Sequence, residues 1–476
     1  MKAKNIITLA SLAGVPLIMV LGNSMLIPVL PKMKSALDIS QFQVSLVITL
    51  FSVPAGLVIP IAGFLSDRIS RKKIIVPALI LYGLGGVVAL LGVFLFNNSY
   101  LVIMAGRILQ GIGAAGTAPI AMALASDIFT GSERSKALGL LEASNALGKV
   151  VSPILGSLIG LIAWYTTFFV FPVLCIPIAL AVWFFVKDPT TNKLGESVTK
   201  YLQDLKKIFK GKGIHLLSSL LGGSVALFIL FGTLFYLSDY LEKKYGMEGV
   251  MKGFVLAIPV LAISITSVTT GIVTQRKTHN YKYFVVGGLI LLGISNLLIP
   301  FFIENIYIFI TALVIGGIGG GLVLTCLNTI ITSSVVMEER GMITSLYGAV
   351  RFFGVAIGPP VFGLLMEISN LATFGTAGGL AFFSAGIVFL FVNPKLAQAK
   401  GEVSAQKQGK QGSRQTWRKI IYETITLRNS LGRLILKPAL KPKKRKDEKQ
   451  KEGEKETEME MTQEELTAEF AGTKKK

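Results

Sequence analysis

Residues 63–73 read Gly-Phe-Leu-Ser-Asp-Arg-Ile-Ser-Arg-Lys-Lys, a basic link pressed between two long apolar segments, 42–65 and 74–96. Each segment exceeds the roughly 18 apolar residues that carry a helix across about 30 Å of hydrocarbon. A charge cluster so short between two spans reads as a tight interhelical loop at a membrane surface. Its four cations, Arg68, Arg71, Lys72 and Lys73, assign that surface to the cytoplasm.

Working outward, composition agrees with a membrane protein. Hydrophobic residues make up 52% of 476 and charged residues 16%, with a mean hydropathy of +0.63. A net charge of +21 would suggest a nucleic-acid partner in a soluble protein. Here the basic residues fall in loops and in the tail, so topology and anionic lipid account for them and no nucleic-acid partner is expected. Cys175 and Cys326 lie in apolar runs and read as packed thiols, and His215 and His279 are too far apart for a metal site. With no nucleophile–base pair, metal set or nucleotide loop, the chain does not read as an enzyme and calls for no cofactor.

The apolar runs predict twelve spans, at 6–30, 42–65, 74–96, 99–122, 137–161, 164–187, 214–238, 250–274, 282–303, 306–333, 343–367 and 371–393. An even number places both termini on one side. Lys2, Lys4, the 66–73 loop, Arg134, Lys136, the lysine-rich 187–212 segment, Arg276, Lys277, Lys282, Arg340 and the tail all fall on the cytoplasmic side, against Lys32, Lys34, Lys243 and Lys244 outside. The first span, opened by two lysines and lacking a small-residue cleavage site, reads as retained. The expected organisation is a six-helix bundle at 1–187, a cytoplasmic loop at 188–213, a second bundle at 214–394 and a basic tail at 395–476. Sliding the halves by 206 residues, the distance from Glu133 to Glu339, exposes a repeat: Arg134 falls on Arg340, Gly148 on Gly354, Pro153 on Pro359, and Gly111 and Gly113 on Gly317 and Gly319. The predicted fold class is an all-α membrane protein with twelve transmembrane helices in two pseudo-symmetric six-helix halves. In the tail, apolar residues from Trp417 to Ile435 recur at helical spacing, predicting an amphipathic helix over 414–437 that binds anionic membrane lipids.

Four motifs carry a resemblance to the major facilitator superfamily, specifically its twelve-span drug:proton antiporter branch. Gly63-x-Leu65-x-Asp67-Arg68-x-x-Arg71-Lys72 resembles the loop signature between spans two and three, with Ser70 where the family usually has glycine. Arg107-x-x-Gln110-Gly111-x-Gly113 resembles the span-four signature, Gly148-x-x-x-Ser152-Pro153-x-x-Gly156 the span-five antiporter signature, and Leu21-Gly22 with Pro28 and Pro31 the span-one signature. The resemblance covers about 6–393. It implies a monomeric exporter in the cell membrane, multi-pass with both termini cytoplasmic, moving an amphipathic small molecule by alternating access with the proton gradient as driving force. It also implies a part for Arg107 in proton transfer.

The residues themselves suggest roles. Gly63, Asp67, Arg68, Arg71 and Arg134 form a candidate conformational latch, because charges at a loop can pair differently in two states. Arg107 lies about eight residues inside its span, where an unpaired cation is costly, and Gln110 shares its face. Since Arg keeps its proton, its role would be to lower the pKa of a nearby carboxylate or to hold water. Glu142, Asn145 and Lys149 form one stripe of span five, with Lys149 a proton carrier, a counter-ion for Glu142 or an anchor for an anionic substrate. Gly148, Ser152, Pro153 and Gly156, and in the second half Gly354, Gly358 and Pro359, read as packing ridges. Asn23, Asn145, Asn328 and Arg351 are the cavity candidates, with Arg351 and Asn145 expected to face one another. Arg107, Lys149 and Arg351 outnumber Glu142, which favours an anionic or zwitterionic cargo. Two other readings stay open: a lipid or glycolipid flippase of the same fold, and a transport-dead scaffold or sensor acting through its tail.

Overall fold

The computed structural model describes residues 3–96, 98–187, 198–273, 280–335 and 339–393, and among these it is helical throughout. The first half comprises α1 (Ala3–Ser24), a short 3-10 turn (Ile27–Val29), α2 (Leu30–Leu37), α3 (Gln41–Ser66), α4 (Arg71–Leu95), α5 (Ser99–Ala115), α6 (Ala118–Ile128), α7 (Gly131–Ile159) and α8 (Thr166–Phe185). The second comprises α9 (Val198–Tyr245), α10 (Gly249–Val273), α11 (Tyr281–Phe302), α12 (Ile306–Ser333), α13 (Arg340–Ile368) and α14 (Asn370–Phe391).

Local chemistry sets these limits. Ser40 and Gln43 form a capping box that starts α3. Ser70 accepts the Lys73 amide and starts α4, so the serine that replaces the family's glycine acts as a helix cap. Pro28 and Pro31 break the first span after Ser24, and the turn at Gly116–Thr117 divides the fourth into α5 and α6. Eleven helical segments among the described residues are long and apolar enough to cross a membrane. The remaining expected span, the fifth in chain order, is α7 with 29 residues, about 43 Å at 1.5 Å per residue. Its Glu142, Asn145 and Lys149 stripe dilutes its apolar character.

The repeat appears in the packing. α1 packs on α7 as α9 packs on α13; α3 on α5 as α10 on α12; α4 on α5 and α8 as α11 on α12 and α14. The two most extensive contacts that join the halves are also a symmetric pair, α3 with α13 and α10 with α7. Equivalent glycines abut equivalent backbone: a Cβ on Gly148 would lie 3.2 Å from the Leu17 carbonyl, and one on Gly354 would strike that of Ser224. Large apolar side chains such as Leu57, Ile61, Phe94, Phe184, Phe301, Phe383 and Leu390 stay more than half exposed around the bundle, as hydrocarbon surroundings permit and water does not.

One expectation is corrected. Residues 198–213, read as loop, are the first turns of the 48-residue α9; the lysines that suggested a loop are compatible with a helix emerging from the membrane. His215 in α9 is buried, its Nε2 lies 2.9 Å from Ser334 Oγ, and its Nδ1 accepts the Asn393 amide. Residues 188–197, His279 and the tail, including the helix expected at 414–437, lie outside the described residues.

Candidate functional site

The most completely satisfied polar group is Arg107. α5 carries it into the first bundle, where it is fully buried. Its Nε donates to the Val47 carbonyl at 2.8 Å, Nη1 to the Gly22 carbonyl at 3.0 Å and to Gln110 Oε1 at 2.6 Å, and Nη2 to Asn23 Oδ1 at 2.8 Å. Gly22 lies in the last turn of α1, where carbonyls lack a helical donor. The guanidinium also stands 4.5 Å over the Phe51 ring. Asn23 donates onward to Ser52 at 2.9 Å. Arg107 and Gln110 are therefore brought together as expected, and Asn23, expected to line the cavity, joins them. Among the described residues, however, Arg107 has no ion-pair partner, so the expected role of tuning a neighbouring carboxylate is corrected. The geometry is that of a clamp joining α1, α3 and α5. Asn23 belongs to that clamp.

α7 presents two distinct faces. Ser144 donates to the Ala13 carbonyl at 2.7 Å, Gly148 abuts Leu17, and a Cβ on Gly156 would strike the Met25 carbonyl. With fully buried Ser152, these small residues form the ridge against α1. Pro153 belongs to a different contact, since a Cβ on Gly253 of α10 would meet its carbonyl at 2.9 Å. On another side, Asn145 and Lys149 are half-buried and Glu142 is exposed. Lys149 lies within electrostatic reach of both Glu142 and Arg351. Arg351 thus lies within electrostatic reach of Lys149, one helical turn beyond the Asn145 that the repeat had suggested. Arg351 stands 5.2 Å from the Tyr347 ring centroid, and its Nε has no acceptor. Asn328 is exposed, and among the described residues its side chain makes no hydrogen bond to these groups.

At the face that carries the α3–α4 turn, Asp67 pairs with Arg71 at 3.3 Å and Arg71 with Asp127 at 2.9 Å. Arg68 lies 3.8 Å over the Phe64 ring, which in turn meets Tyr201 edge-on at 4.9 Å. Burial raises the Tyr201 pKa, with a smaller contribution from Asp67. A Cβ on Gly63 would lie 2.7 Å from Ser345 Oγ of α13, so the close approach of the halves depends on that glycine. Arg134 is exposed and, among the described residues, has no ion-pair partner; its place in the latch is corrected in favour of Asp127. Asp127 lies in the last turn of apolar α6, at the same face as the signature loop, and an acid at the end of an apolar run was the one sequence cue that marked it.

The opposite face holds groups that sequence reasoning missed. Lys252 is buried, with Nζ 2.6 Å from Glu242 Oε2 and 2.9 Å from the Pro28 carbonyl. Lys32 pairs with Glu248 at 2.7 Å, and Ser238 donates to the Ile27 carbonyl at 2.8 Å. All three join the first half to the second. The Ile27 carbonyl also takes the Leu30 amide at the end of the 3-10 turn, so it accepts two donors. At α3–α13 a proline frees the acceptor: Pro360 has no N–H to return to the Ala356 carbonyl, and Thr49 donates to it at 2.6 Å.

Comparison with known proteins follows from this geometry. The sequence model of the Major Facilitator Superfamily matches residues 12–280 and, in a second match, 240–438. A bacillibactin exporter of Bacillus subtilis (strain 168) is 44% identical over 83% of this chain and 98% of its own. A multidrug efflux protein of the same organism, YfmO, is 28% identical over 80% of this chain and 91% of its own. Among solved structures, a bacterial homolog of the human lysosomal transporter Spinster superposes with a TM-score of 0.63 at 16% identity, covering 83% of this chain and 98% of that one.

Proposed function

We propose that this chain, which belongs to the Major Facilitator Superfamily, is a proton-coupled exporter of amphipathic small molecules in the cell membrane, both termini cytoplasmic. The observation that carries export is the 44% identity to a bacillibactin exporter along 98% of that protein's length. Bacillibactin is accordingly the first cargo to test. The geometry supports alternating access. The halves meet along α3–α13 from Gln41 beside Gly363 at one end to Gly63 beside Ser345 at the other. They are also stapled at the opposite face by Lys252, Ser238 and the Lys32–Glu248 pair. A rocking motion must break that staple to open the site outward.

Arg107 keeps its proton and has no carboxylate beside it, so the coupling role passes to Glu142, the carboxylate set deepest along a long helix among the described residues. Glu142 is exposed, and its charge acts on Lys149. Everted vesicles loaded with a pH-sensitive dye test the proposal. Cargo should release protons from an acidified lumen in wild type and fail to do so in Glu142→Gln, while cargo binding persists. Proton release unchanged in Glu142→Gln would remove Glu142 from the coupling step. Absence of bacillibactin and dye export in cells lacking their own exporters would overturn export itself.

A further inference from the structure

We propose that Lys149, Arg351 and Tyr347 form an anion-binding subsite between the halves, to which the exported molecule presents a carboxylate or comparable oxyanion. The inference rests on the transport reading and names the chemical class of its cargo.

Three observations converge. Lys149 of α7 and Arg351 of α13 come from different halves, yet lie within electrostatic reach of one another. Two like charges within reach of one another in a half-buried place repel, and an anion between them relieves that repulsion. Glu142, the acid that acts on Lys149, is exposed and forms no ion pair among the described residues.

Second, two buried donors beside these cations have no acceptor: Arg351 Nε and the hydroxyl of Tyr347, a residue that is 1% exposed. They sit one helical turn apart on α13, with the guanidinium 5.2 Å from the Tyr347 ring. Buried donors almost always find partners, and the contrast inside this molecule is direct. Arg107 spends its donors on four acceptors, and Tyr82 reaches the Ile18 carbonyl at 3.4 Å. An orphaned guanidinium edge and phenol, backed by an ammonium, make a three-donor cradle that an oxyanion fits and a cation does not.

Third, the cradle adjoins aromatic surface that crosses the halves. Phe352, next to Arg351, lies 6.5 Å from Phe51, which carries Arg107 on its face. An acidic group joined to an apolar body would satisfy both.

Equilibrium dialysis of the purified full chain in neutral detergent tests this with three probes sharing one body: naphthoate, naphthylmethanol and naphthylmethylammonium. Naphthoate should bind wild type about tenfold more tightly than the alcohol. Lys149→Met and Arg351→Met should each remove most of that preference, Tyr347→Phe should reduce it, and Arg351→Lys should keep part of it. Thermal unfolding of each variant in detergent, close to that of wild type, reports that the fold is intact. Equal binding of all three probes, tightest binding of the ammonium, no binding of naphthoate, or a preference that survives in Lys149→Met/Arg351→Met would overturn the subsite. Displacement of naphthoate by equimolar phosphatidylglycerol would reassign the donors to a lipid headgroup and overturn the cargo assignment. Vesicle export of the same probes keeps the two readings separate. Carboxylate preference without export would sink the exporter, and export without preference would sink the subsite.

Discussion

A buried arginine with neutral partners is either a clamp or a coupling device, and Arg107 has the contacts of a clamp. Arg107→Met would leave the Val47 and Gly22 carbonyls and Asn23 without their donor, at a cost of about 2–4 kcal/mol. We expect a clear fall in thermal stability in detergent. Arg107→Lys should fall nearly as far, because one ammonium cannot reach three helices in the guanidinium's geometry. A variant that unfolds like wild type yet cannot transport would instead give Arg107 a direct part in turnover. Ser70 is the milder case. Ser70→Ala loses the cap on the Lys73 amide, about 1 kcal/mol, whereas Ser70→Gly should lose only a few tenths. Thermal unfolding would show the difference if the serine acts only as a cap.

At the scale of elements, the crossing of α3 and α13 depends on small groups and on carbonyls that prolines set free. Gly63→Ala places a methyl against Ser345, and the pair Gly63→Ala/Ser345→Gly should recover what the single change loses. Failure of that rescue would show that Gly63 serves backbone freedom in the turn rather than the approach of α13. Thr49→Val is a sharper probe. It leaves the Ala356 carbonyl unfilled in the interface, costing about 1–3 kcal/mol. Crosslinking between cysteines placed on α3 and α13 should weaken in that variant.

For the whole molecule, the proposed alternating access makes the staple opposite the α3–α4 turn the lock on one of its two states. Lys252→Met removes the bond to Pro28 and leaves Glu242 without its ammonium. Each 1.4 kcal/mol withdrawn from this state shifts the populations about tenfold. Cysteine at Ser157, which faces this seam from α7, should become more reactive to a membrane-impermeant thiol reagent in Lys252→Met. Unchanged reactivity would mean that α3–α13 packing alone keeps the face closed. Locking the same seam with Lys32→Cys/Glu248→Cys should stop transport under oxidation and restore it on reduction.

What one sequence could determine about this protein was whatever leaves a local or periodic mark. The apolar lengths, the cations of 63–73, the 206-residue repeat and the two faces of α7 are all written in residue types and their spacing. Proline breaks and glycine ridges were legible for the same reason. The contacts that give those residues meaning were decided only by the tertiary structure. Arg107 is satisfied largely by backbone carbonyls, Lys252 by Pro28, Thr49 by Ala356, and a carbonyl is the same atom at every position. Which carbonyl is free depends on where a helix ends or a proline falls, and which donor reaches it depends on how two helices cross. Lys149 and Arg351 likewise lie more than two hundred residues apart in the chain. Only the packing of one half against the other brings their charges together.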